Sequence, residues 1–263
     1  MAEAFKAIGA DGYDRIMGRI SVRLATPFIV FAGRTPGERI LDVGCGTGSL
    51  TFALSGFGDH AEIVGVDIGE PFLAAARDRN TDPRTSFRVA SATSLPFPDG
   101  HFDRALSQLV LQFVPDSLAA VYEMRRVVRP GGTVSACVWD AYGGQPHIRM
   151  IWDAAAVLGL IGTHAIIRPL STEGEMAALW QRAGLTDVIE SEISMRFAFE
   201  DFDDYWSPYL TGNGPLGEMV MSLTARQRAT LEERMRFVYL SGRPDGRRSF
   251  VSTAWVCKGT VPG

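Results

Sequence analysis

One stretch constrains this chain more than any other: Arg39-Ile40-Leu41-Asp42-Val43-Gly44-Cys45-Gly46-Thr47-Gly48, running directly into Ser49-Leu50-Thr51-Phe52-Ala53-Leu54. Ile40, Leu41 and Val43 make a short apolar run suited to a strand buried on both faces. The glycines that follow tolerate positive φ and leave no Cβ in the way of a bound group. From Thr47 the apolar spacing becomes helical. A strand, a glycine turn and a helix N-terminus in that order present backbone N–H groups to a ligand at the edge of an α/β sheet.

The alternation continues downstream. Strands are expected at Glu62–Asp67, Ser86–Ala90, Phe102–Ser107 and Thr133–Trp139, and helices at Gly48–Gly56, Pro71–Arg79 and Ser117–Val128. Strands alternating with helices imply a parallel sheet with right-handed crossovers. Arg129-Pro130-Gly131-Gly132 reads as a turn. Upstream, residues 1–35 read as helices with Val22, Ala25, Phe28, Ile29 and Ala32 on one face and Pro27 bending or breaking the run. Beyond Trp139 the pattern loosens. Helices are expected at Ile148–Leu160, Thr172–Ala183 and over most of Asp201–Asp245, with β-rich segments at Thr186–Phe199 and Arg247–Cys257.

The chain has 263 residues with a hydrophobic fraction of 46%, enough for one core domain with insertions. A net charge of −4 disfavours a phosphate-backbone binder, although Arg125, Arg126 and Arg129 form a basic patch read as facing solvent. The three cysteines, Cys45, Cys137 and Cys257, have neither disulfide nor metal-site spacing, which suits a reduced cytoplasmic setting. No apolar run is long enough for a membrane span, and Met1–Lys6 has no signal-peptide core.

Three features sharpen the glycine turn. The spacing Gly44-x-Gly46-x-Gly48 is tighter than the dinucleotide fingerprint, Asp42 precedes it at the strand edge, and Asp67 ends the next strand, where a carboxylate can accept from both hydroxyls of a ribose. Together with Leu95-Pro96-Phe97-Pro98-Asp99-Gly100-His101-Phe102-Asp103 and Arg126-Val127-Val128-Arg129-Pro130-Gly131-Gly132, these residues resemble the class I S-adenosylmethionine-dependent methyltransferases. The branch most similar is that of the ubiquinone/menaquinone-biosynthesis C-methyltransferases, and the resemblance covers about residues 10–140.

The resemblance implies an α/β, Rossmann-like, doubly wound and mostly parallel seven-stranded sheet with helices on both faces and helical lid insertions. Residues 1–35 would form an N-terminal helical lid and 36–140 the cofactor-binding core. Residues 141–263 would complete the sheet at about 186–199 and 247–257 and insert lids at 141–170 and 200–246. The cofactor would be S-adenosyl-L-methionine and its product S-adenosyl-L-homocysteine. Gly44, Cys45 and Gly46 would let the backbone approach its ribose and methionyl end, and Asp42 would orient the amino group. Asp67 would hold the ribose, Ile68 would lie on the adenine, and Ser91-Ala92 would border it where the family usually has Asp-Ala. Gln108 and Leu109 match the segment beneath the methionine, and Tyr13 and Arg19 match a lid motif that covers the sulfonium and binds the carboxylate.

The acceptor side is less defined. His60 and His101 fall in turns and read as solvated, and His147 is a weak candidate base near the fifth strand's edge. Gln112 stands where many relatives carry a histidine. Gln112, Trp139, Tyr205, Trp206 and Tyr209 are candidate substrate contacts, with core packing as the competing reading for the aromatic cluster. Asp201, Asp203 and Asp204 read as a solvated helix start. The expected function is methyl transfer to a small molecule. A non-catalytic S-adenosylmethionine-binding protein and a nicotinamide-dependent oxidoreductase are the alternatives.

Overall fold

The computed structural model describes residues 19–162 and 168–263. They build a seven-stranded sheet in the order β3-β2-β1-β4-β5-β7-β6, made of β1 (Arg39–Val43), β2 (Glu62–Asp67), β3 (Thr85–Val89), β4 (Phe102–Gln108), β5 (Val128–Trp139), β6 (Thr186–Phe199) and β7 (Arg248–Thr260). β1 pairs in parallel with both β2 and β4, β2 with β3, and β4 with β5, whereas β7 runs antiparallel to β5 and β6. The strand order therefore reverses between β1 and β4, where the carboxyl ends of an open α/β sheet leave a crevice for a ligand.

Helices cover both faces. α1 (Arg19–Ala32) and α2 (Ser49–Ser55) pack on one side, and α3 (Glu70–Arg79) follows β2. α4 (Ser117–Val127) and α6 (Glu175–Arg182) contribute Val121, Met124, Leu179 and Trp180 to the core on the other face. α5 (Pro146–Val157), α7 (Phe202–Trp206), α8 (Gly214–Ser222) and α9 (Ala225–Leu240) gather beyond the carboxyl edge, with the 3-10 turns Leu111–Phe113 and Ser207–Thr211 between elements.

Several boundaries differ from the sequence expectation for physical reasons. α1 runs through Pro27 without a break, because Pro27 lies on the exposed face, where water can solvate the freed carbonyl. Its buried stripe is Leu24, Ala25, Phe28, Ile29 and Ala32, and Val22 lies outside it at 59% exposure. Arg129–Gly132 is not a free turn but a bulge within β5: Phe102 pairs with Val128 and Arg104 already with Thr133. Gly131 supplies the positive φ there, and β7 closes over the bulge through hydrogen bonds from Gly131 N to Val261 O and from Val261 N to Gly132 O. β7 extends to Thr260, past the expected end, because this pairing continues.

The arginine patch is committed internally. Arg126 donates to Glu123, to Asp99 and to the carbonyls of Leu95 and Phe97, Arg129 to Asp103, and Arg125 to the Ala183 carbonyl. His60 is buried rather than solvated, its Nε2 3.1 Å from Asp82, whereas His101 stacks on Phe97 beside Glu62. Asp201 caps α7 by accepting from Asp204 N.

Candidate cofactor and substrate cavity

A cavity of about 580 Å³ opens at the carboxyl edge where β1, β2 and β4 end. Gly44 and Gly46 form part of its floor at φ 76° and 53°. A Cβ on Gly44 would come within 2.4 Å of Val110 Cγ2, so only glycine fits beneath that side chain. Asp67 reaches the cavity from the end of β2. Its Oδ2 accepts from Gly46 N at 2.9 Å and its Oδ1 from Gly69 N at 2.8 Å, so the glycine turn and the entry to α3 both fix the carboxylate. Burial raises its pKa, opposed by these two N–H donors.

Asp42 lies one layer deeper, with no exposed surface. Thr51 Oγ1, on α2, donates to its Oδ2 at 2.6 Å, and its Oδ1 is enclosed without a partner. Burial pushes its pKa up to about 7, with the Asp67 charge adding to the rise and the Thr51 hydroxyl opposing it. Cys45 faces away from the cavity and packs with Leu73, Ala76 and Phe87, and burial raises its thiol pKa well above the ordinary range. Gln108 is also buried off the cavity wall, donating from Nε2 to Ser21 O at 3.0 Å. Leu109 lines the cavity at φ 62°, an unusual conformation for a γ-branched residue, at the point where β4 yields to the 3-10 turn.

Ile68, Ser91 and Ala92 share the wall with Asp67. The Ser91 hydroxyl is engaged locally, 2.9 Å from Thr93 Oγ1. Gln112, Trp139 and Tyr209 also face the cavity, but Tyr205 and Trp206 do not. Tyr205 donates to His147 O at 2.7 Å, and Trp206 stacks on Phe202, so both belong to the core. His147 is 1% exposed among Phe197, Phe199 and Phe250 and lies outside the cavity lining. Burial lowers its pKa to about 3, which leaves a neutral imidazole with no route to a substrate. Tyr13 and the side chain of Arg19 lie outside the described residues.

Thr51, Val110, Phe113, Trp152 and Arg168 join the site although sequence reasoning did not single them out. Only Thr51 carried a signal, since it is the hydroxyl on the first turn of the helix that follows Asp42. Among the described residues, no cluster of His, Cys, Asp and Glu could hold a metal ion, and no helix is long and apolar enough to cross a membrane.

Residues 41–136 match the family described as "Methyltransferase domain". This segment spans the strand, glycine turn and Asp67 described above. It forms a domain of the S-adenosylmethionine-dependent methyltransferase family. The methyltransferase domain is 33% identical over 156 residues to a demethylmenaquinone methyltransferase of Lysinibacillus sphaericus, covering 57% of this chain and 66% of that protein. It is 40% identical over 109 residues to a ubiquinone/menaquinone biosynthesis C-methyltransferase of Shewanella oneidensis, covering 40% and 43%. The chain thus spans between 43% and 66% of the length of these curated relatives. Among solved structures, a methyltransferase of Bacillus halodurans with 16% identity superposes with a TM-score of 0.61 over 91% of this chain and 99% of that one. A Haemonchus contortus phosphoethanolamine N-methyltransferase, 15% identical and solved with S-adenosyl-L-methionine, gives 0.57 over 98% and 61%. These two likenesses establish the fold of the methyltransferase domain and its sheet completion.

Proposed function

We propose that this chain transfers a methyl group from S-adenosyl-L-methionine to a small-molecule acceptor in the 580 Å³ cavity, with the segments 141–170 and 200–246 as lids. The carrying observation is Asp67, a carboxylate at the end of β2, tethered to the glycine turn and facing the cavity. The residues present fit the cofactor. Gly44 and Gly46 offer backbone without a Cβ, Asp67 retains lone pairs for a ribose diol, and Asp42 keeps an unpartnered buried oxygen behind the turn. Ile68 and Ala92 would border the adenine, with Ser91 beside them, and Leu109 would lie under the methionyl chain. Asp42 and Gln108 would act from behind the wall, and Tyr13 and Arg19 would close over the site.

When bound, the cofactor supplies an electrophilic methyl on a sulfonium, which needs no further activation. The work left to the protein is alignment and exclusion of water, worth about 7–11 kcal/mol in a well-oriented reaction. Among the described residues lining the cavity none is a histidine, and Asp67 is already held by two N–H groups, so no side chain is placed as a general base. Titration calorimetry with S-adenosyl-L-homocysteine should give micromolar binding, and NADH should give none. Absence of binding to S-adenosyl-L-homocysteine would overturn the assignment. Binding without label transfer from methyl-labelled cofactor to any metabolite pool would favour the non-catalytic reading.

A further inference from the structure

We propose that the molecule accepted opposite the cofactor is an apolar organic acid, its carboxylate met by the donors at the β5–α5 end of the cavity. This inference rests on the functional reading above for the position of the cofactor, and on the following features of the wall.

The cavity divides by chemistry. On the Asp67 side lie the glycine turn and the Ser91–Ala92 loop. On the other side the apolar surface comes from Phe113, Trp139, Ile148, Trp152, Tyr209 and Leu216. The polar groups set into that surface are amides, hydroxyls and two guanidinium groups, Arg149 and Arg168. Asp67 is the only carboxylate among the described lining residues, and both its oxygens already accept backbone N–H groups. An ammonium at the far end would therefore have no counterion, and an uncompensated buried charge is costly.

An anion meets the opposite situation. Trp139 is 7% exposed, and its Nε1, which can only donate, is enclosed without a partner. Gln145 Nε2, a second donor, is also enclosed and unpartnered, and Gln112 Oε1 marks a third polar side chain with unused capacity. Such groups are rare in folded proteins, and a cavity wall is where a ligand can satisfy them after a small side-chain rotation. Arg168 lies over the Phe113 ring at 4.6 Å, which holds its planar fork at the wall. Arg149 donates from Nε to Asp153 at 2.7 Å, an exposed pair that offsets part of its charge. The sign of the wall therefore comes mainly from Arg168 and the neutral donors. A carboxylate also arrives without a proton to lose, which agrees with a cavity that places no base.

The test uses naphthalene probes of one shape and three charges: 2-naphthoate, 2-naphthalenemethanol and 2-naphthylmethylammonium, each titrated into the full chain with S-adenosyl-L-homocysteine present. 2-Naphthoate should bind about tenfold tighter than either other probe, a difference of about 1.4 kcal/mol. Arg168→Met and Gln145→Leu should each remove most of that preference while binding of S-adenosyl-L-homocysteine stays within about twofold, which also verifies folding. In Gln112→Glu the ammonium probe should gain and the acid lose. Tighter binding of the ammonium or the alcohol by the unaltered chain, or a preference that neither variant changes, would overturn the proposal. If the acid preference holds but S-adenosyl-L-homocysteine does not bind, the methyl-transfer reading fails and the acid site stands. If the cofactor product binds and the preference is absent, only the acid site fails.

Discussion

Asp42 is a carboxyl group with no exposed surface in a central parallel strand, and its proton is correspondingly hard to remove. Its pKa rises from 3.8 to about 7, so the folded state holds a proton that the unfolded state releases. The stability this gives is fully present below the ordinary value of 3.8 and is lost as pH rises through 7. Urea unfolding of the ligand-free protein should therefore weaken between about pH 4 and 7, by at most about 1.4 kcal/mol per pH unit from this group. Asp42→Asn should flatten that slope, and an unchanged slope would assign it to other residues. Asp67 calls for a binding measurement instead. Asp67→Ala strands the Gly46 and Gly69 N–H groups and removes the diol acceptor, so calorimetry should show S-adenosyl-L-homocysteine binding weakened by about tenfold to a hundredfold. His147 marks the limit of reading single residues. Its place after Gly143-Gly144-Gln145-Pro146 suggested an edge position, yet the rings of β6 and β7 enclose it. Those rings lie far along the chain, and no local pattern announces them.

At the scale of elements, the short βα units from β1 to β5 were readable because each strand is an unbroken apolar run ended by turn residues. The bulge in β5 was not, since Pro130-Gly131-Gly132 has the same local chemistry whether it leaves the sheet or kinks within it. Pairing with Phe102 and with Val261 decides the matter. A Cβ on Gly132 would sit 2.4 Å from Asp103 O, so Gly132→Ala should cost about 1–3 kcal/mol in denaturant unfolding. Arg104 joins elements in another way. From β4 it donates to Glu38 from Nε and Nη2 and to Ala32 O at the end of α1, with both charged side chains nearly buried. Arg104→Met leaves the Glu38 carboxylate buried without its partner, and urea unfolding should show a loss of about 3–5 kcal/mol. Replacing Arg104 and Glu38 together should recover much of that loss, since the desolvation cost disappears with the pair.

Across the whole molecule, the antiparallel β6–β7 hairpin reaches beyond the end of β5, pairing down to Phe199 with Arg248 while β5 stops at Trp139 opposite Ala254. This overhang carries Phe197, Phe199 and Phe250, against which Tyr205 packs, 5.2 Å from Phe199 and 5.2 Å from Tyr239 of α9. The helices beyond the carboxyl edge are thereby joined to the sheet through one continuous aromatic core. Phe199→Ala should lower stability by about 3–5 kcal/mol. Near- and far-ultraviolet circular dichroism should still report one coincident thermal transition, because the helices have no separate core to unfold around. By itself the sequence determined the strand–glycine–helix unit, its two carboxylates and the parallel order of the first strands, since each depends on residues adjacent in the chain and on backbone conformations that few residue types permit. Which aromatic rings face the cavity, whether a histidine meets solvent, and which donors stand unpartnered were decided only by tertiary structure. Those outcomes depend on which distant surfaces meet, and on the water that their meeting excludes.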